Sequence, residues 1–221
     1  MSPAGSTGEH DVGQKPPIVR IALIGLLAAG VIVAIYIAGR VHMVNPAFSL
    51  FGRQYEAARS LKAVLATVAL GAAVLQVLLA LWMYRKLPLA GRPPRAVRPA
   101  HRVLGFGLFA LTIPIALHCL IAYGVQLTPA RVAVHSLAGC FLYGAFVAKV
   151  LLVHTRRVPA WLLPVAGGLL AVTVAVLWYS SALWYYNGYQ LPADDPHLSL
   201  DGRVSGLMDA GKHERNRAPL R

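Results

Sequence analysis

Five long apolar runs, separated by short polar or basic stretches, set the pattern of this 221-residue chain. They cover roughly 18–39, 61–84, 101–126, 132–155 and 159–186. Each provides about the 20 helical residues needed to cross a ~30 Å hydrocarbon layer. The pattern therefore predicts an all-α integral membrane bundle of five transmembrane helices over 18–189. Residues 1–17, polar and rich in Gly and Pro, predict a disordered tail, and 190–221 a flexible external one. The connection 41–60 mixes aromatic and basic residues and predicts a short amphipathic helix along the interface. Gln76 is the one polar break in the second run, expected to bond a neighbouring helix. Pro114 is expected to kink the third. The fifth closes on WYSSALWYYNGY, an interfacial aromatic belt.

Composition agrees: 57% of residues are hydrophobic and only 13% charged, far too apolar for an ordinary soluble domain. The net charge of +13 does not signal nucleic-acid binding, because the cations sit beside and between the apolar runs. Their distribution orients the chain. The stretch RKLPLAGRPPRAVRPAHR carries Arg85, Lys86, Arg92, Arg95, Arg98 and Arg102 with no acid, and its four prolines predict an extended linker. Placing it in the cytoplasm puts ten cations inside, counting Lys15, Arg20, Arg156 and Arg157. Five lie in the outer connections: Arg40, Arg53, Arg59, Lys62 and Arg131. The positive-inside rule then gives an N-in, C-out topology. Cys119 and Cys140 form no CxxCH or CxxC pattern, so covalent haem and thiol-redox chemistry are not expected; buried, inert thiols are.

The chemistry-bearing residues are histidines in the third and fourth runs. Histidine is costly inside a bilayer and marks a functional site by default. His118 and His135 lie ten residues before and seven after a turn near residue 128, so they fall within one helical turn of the same depth. His101 and His154 lie at nearly one depth near the opposite face. Two levels of paired imidazole suit two bis-histidine haems, ~26–28 Å apart along the axis. The outer pair is the stronger candidate. His101 and His154 stand next to Arg102 and Arg156 at headgroup level, where an interfacial role is equally natural. Gly105 and Gly139, each one turn from a histidine, leave room for a flat macrocycle or for close helix approach. Lys149, Arg131 and His42 are candidate partners for a haem propionate or other anion, each otherwise a snorkelling or membrane-edge residue. No Asp or Glu occurs between Glu56 and Asp194, which disfavours a carboxylate-relay pump.

The histidines in HRVLG (His101), ALHCL (His118), VHSLAG (His135) and LLVH (His154) resemble the cytochrome b561 type of membrane haem protein. That resemblance implies paired axial histidines near opposite faces and electron transfer across the bilayer. The chain departs from it in holding all four on two helices of a five-span bundle. The whole chain also looks like a bacterial five-span membrane family known only as a domain of unknown function. The expectation is thus a protein binding one or two haem b groups without covalent attachment. It would pass electrons across or within the membrane, between a quinol and an external redox protein. Two alternatives stand beside this: a non-redox scaffold or complex subunit, and a small-molecule permease.

Overall fold

The computed structural model describes residues 17–87, 91–155 and 158–190. The tails expected over 1–17 and 190–221 lie, but for Pro17 and Gln190, outside the described residues, as do the cations Arg156 and Arg157. The described chain is all-helical: α1 (Pro17–Val41), α2 (Tyr55–Met83), α3 (Val97–Tyr123), α4 (Ala130–His154) and α5 (Leu162–Trp178). Beyond Trp178, α5 runs through one π-helical turn, Tyr179–Leu183, into Trp184–Tyr186. Five helices are long and apolar enough to span a membrane.

Two boundaries differ from the sequence expectation. No separate interfacial helix forms in 41–60: residues 42–54 run irregularly, with a single bridge between Leu50 and Arg53, and α2 begins at Tyr55. Helix α3 starts at Val97, inside the stretch expected to be an extended linker. Pro99 falls in its first turn, where the missing N–H costs no hydrogen bond.

The burial pattern is that of a bundle solvated by lipid. The largest apolar side chains, among them Leu26 and Leu27 of α1, Phe106 of α3 and Val172 of α5, face outward. The buried positions are mostly small: Ala28, Ala58, Ala63, Ala69, Ala73, Ala122, Ala166 and Ala182. Lipid tails are as apolar as leucine, so helices associate by close packing, and small residues permit it. Gly144 makes the point: a Cβ there would lie 2.7 Å from the Ala28 carbonyl oxygen on α1.

The closely packed helix pairs are α1–α4, α4–α5, α2–α3 and α2–α5. Helices α3 and α4, although consecutive, are bridged by long side chains. Phe109 stacks on Phe146 with ring centroids 3.7 Å apart, and the Tyr143 hydroxyl donates to the Thr112 carbonyl at 3.0 Å. Above this aromatic layer, towards the end carrying the α3–α4 turn, the helices part and leave a space. That turn is docked firmly: Val125 N–H donates to the Gly39 carbonyl at 2.9 Å, and Asn45 N–H to that of Ile121 at 2.8 Å.

At the other end, Gln76 of α2 makes the interhelical bond the sequence suggested, its amide donating to the His101 carbonyl at 2.7 Å. Gly105 leaves the space it occupies, since a Cβ there would lie 3.0 Å from Gln76 Nε2. Gln76→Leu is expected to cost only about 0.6 kcal/mol, the usual worth of such bonds in membranes. Thermal unfolding in detergent checks this; a loss of solubility instead would make the bond indispensable to assembly.

Candidate functional site

The space between the parted helices is a cavity of about 750 Å³. All five helices reach it: Ile35 from α1, Lys62 to Ala69 from α2, Thr112 to Tyr123 from α3, Val132 to Tyr143 from α4, and Val174 to Tyr185 from α5. The lining is graded along the bundle axis. Ala66, Ala69, Leu142 and Val174 make the deep part apolar. Arg59, Lys62, Arg131, Tyr185 and Tyr189 crowd the end near the α3–α4 turn.

His135 is the imidazole in this wall. Its Nδ1 lies 2.9 Å from Ser180 Oγ. The serine hydroxyl spends its one hydrogen on the Val176 carbonyl, at 2.7 Å. Ser180 Oγ therefore accepts, Nδ1 carries the proton, and Nε2 holds the lone pair. A second hydrogen bond that fixes tautomer and ring orientation is how proteins prepare a histidine for ligation. Ser180 sits in the π turn of α5, and such turns often occur at functional sites. The same residue's carbonyl accepts from Arg131 Nη1 at 2.7 Å, and the Arg131 guanidinium lies 3.7 Å over the Trp184 ring. Ser180→Ala is expected to leave Nδ1 without this acceptor, at about 1–3 kcal/mol in stability. An unchanged melting temperature in detergent would show the bond to be unimportant.

The structure does not bring the four histidines together in pairs. Cavity-facing positions of α3 include Thr112, Ile115, Cys119 and Tyr123, one stripe of a helix. His118 falls about 100° off that stripe, beside Cys119. It is buried, 2% exposed, between Phe48 of the 42–54 segment and Tyr123, with ring centroids 5.9 Å away in each case. Neither of its ring nitrogens has a hydrogen-bond partner. Matched depth along the sequence says nothing about azimuth, and the 42–54 segment lies over another face of α3, where Phe48 meets His118.

The second pair is also apart in environment. His154 is exposed at the end of α4, its Nδ1 bonded to the Val150 carbonyl one turn back at 2.8 Å. His101 is half-buried, and its Nδ1 is enclosed without a partner. Neither lines the cavity. Of the three accessory residues, Arg131 lines it, His42 is exposed in the 42–54 segment, and Lys149 lies deep at the opposite end, against Gly167 of α5. Cys119 and Cys140 are free thiols that both line the cavity; Cys140 is buried and Cys119 half-buried.

Sequence reasoning missed Lys62 and Ser180. Lys62 looked like a topology cation at the edge of the second run. Its place at i+3 from Arg59 and one turn before Ala66, on the cavity face of a helix beginning at Tyr55, was the available signal. Nothing in the sequence marked Ser180 as the partner of His135.

A family model matches residues 21–193, well over half the chain and all of the helical bundle but the first residues of α1. The chain belongs to DUF6529, a family of unknown function. No curated protein and no solved structure matches it. For this DUF6529 member the cavity, its histidine and its cations are accordingly the basis for a functional assignment.

Proposed function

We propose that this DUF6529 protein is a membrane electron-transfer protein holding a b-type haem non-covalently in the cavity, on His135. The observation that carries the proposal is the His135 ring, which lines a chamber of about 750 Å³ and whose Nδ1 is fixed by Ser180 with Nε2 left as the lone-pair nitrogen. A volume of that size falls within the ~300–1,000 Å³ range of ligand and cofactor pockets. Its deep walls are apolar, as a macrocycle requires, and its cations crowd the end where acidic substituents would emerge. The residues fit a haem held by one histidine rather than by two facing ones.

Bound haem would supply one-electron chemistry. The chain's own part is narrower. His135 offers a neutral imidazole, and Ser180 and Arg131 hold α4 and α5 in register around it. The proposed setting is a bacterial plasma membrane with the N-terminus cytoplasmic, so that the cavity opens near the outer face and exchanges electrons with a quinol or an external redox protein. Absorbance of detergent-purified protein, oxidised and then dithionite-reduced, tests the proposal. A reduced α-band with one haem per chain supports it; colourless protein from haem-replete cells removes it.

A second reading is favoured by one observation, the placement of His118 outside the cavity. Without a second histidine, the chamber is also suited to a metal-free amphipathic molecule, as a binding protein or permease would hold it.

A further inference from the structure

Lys62 carries the inference. Its ammonium lines the cavity about two turns into α2, half-buried, at a depth where unpaired charge is expensive. Its neighbours are soft: the Cys119 thiol, 4.0 Å from Nζ, and the face of the Tyr123 ring, 4.4 Å from it. Neither neutralises a positive charge. The one carboxylate near this end among the described residues is Glu56, and it is committed. One oxygen accepts from Arg59 at 3.0 Å and the other from the Tyr189 hydroxyl at 2.7 Å. Arg131 is engaged with Ser180 and Trp184. Lys62 is therefore left without an ion-pair partner among the described residues, facing into a chamber whose far end is apolar.

We propose that Lys62 anchors the anionic head of an amphipathic ligand, a carboxylate or phosphate borne on a long apolar body, whose tail fills the deep half of the cavity between Ala66, Ala69, Leu142 and Val174. The grading of the lining supports this directly: a charged group at the α3–α4 turn end and apolar walls beyond it match a molecule with one wet and one dry end. A lysine, being a compact point charge with three rotatable donors, serves either oxyanion. The inference rests on the cavity being a ligand site, as in the proposed function, but requires no iron.

The test uses the full chain in phosphatidylcholine nanodiscs, with a fluorescent long-chain fatty acid and its methyl ester as probes. The acid is expected to bind at least tenfold more tightly than the ester. Lys62→Met, which keeps length and removes charge, should bring the acid down to the ester's affinity, and Lys62→Arg should restore most of the difference. Equal affinities for acid and ester, or an unchanged affinity in Lys62→Met, would overturn the assignment. Repeating the titration with phosphatidylglycerol in the nanodisc separates the sources. Competition by phosphatidylglycerol, whose phosphate is not neutralised by a choline cation, assigns the site to anionic bilayer lipid, and unchanged binding assigns it to carboxylate amphiphiles. Colourless protein that binds the acid through Lys62 would remove the haem and keep this inference; haem-loaded protein whose acid affinity ignores Lys62 would do the reverse.

Discussion

Replacing His135 with alanine is expected to abolish haem retention, while His118→Ala leaves the haem complement unchanged. Both imidazoles lie in apolar spans at similar depth, so a ligand assignment from sequence treats them alike. The structure separates them. His135 lines the cavity and has its Nδ1 proton held by Ser180. His118 is enclosed on another face of α3 by Phe48 and Tyr123, and its ring nitrogens make no hydrogen bond among the described residues. Losing an axial nitrogen from a single-ligand site removes the strongest contact to a non-covalent haem, so the effect on stoichiometry should be nearly complete. Reduced-minus-oxidised difference spectra of the two variants, normalised to protein, decide the matter. A full α-band in His135→Ala, or its loss in His118→Ala, would defeat the assignment. Because alanine at position 118 also removes packing from a buried ring, His118→Phe serves as a second variant that keeps an aromatic ring there, and it too should keep its haem. His42→Ala should behave like wild type, since His42 is exposed and outside the cavity.

Gly124→Val is expected to be the most damaging single substitution to the bundle itself. Gly124 follows α3 with φ +66°, a conformation β-branched residues resist. A Cβ at this position would meet the Gly39 carbonyl oxygen at 2.7 Å, which is backbone and cannot swing away. The same carbonyl accepts the bond from Val125 N–H that docks the α3–α4 turn onto α1. Strain of about 1–3 kcal/mol for a side chain in this essentially glycine-only conformation and overpacking of about 1–3 kcal/mol act on the same few atoms. The expected outcome is a marked drop in the detergent melting temperature, or loss of folded protein on size-exclusion chromatography. Gly52→Val is the control: it also has positive φ (+76°), but a Cβ there meets nothing within 4 Å. If both variants melt alike, conformational strain rather than the contact with α1 governs this turn.

The sequence by itself determined the fold class. Hydrocarbon offers no hydrogen bonds to the backbone, so an apolar run of span length has to be helical, and five such runs make an all-α bundle. It also identified Gln76 as an interhelical bond, because an amide in hydrocarbon finds a partner on a neighbouring helix. It singled out four histidines of α3 and α4 as candidates, and of these His135 lines the cavity. It did not determine which helices pack together. Hydropathy makes all five helices nearly apolar on every side, so it carries little information about azimuth, and depth alone made His118 and His135 a pair. Only the tertiary structure decided that α3 and α4 stand apart across a cavity, that residues 42–54 fold over His118, and that His154 ends α4 in a bond to its own helix. It also decided the surroundings of Lys62, since a cation at the edge of an apolar run faces solvent in one fold and a buried chamber in another. The difference is whether neighbouring helices leave room, and small residues such as Ala63 and Gly144 set that spacing only through the partners they meet.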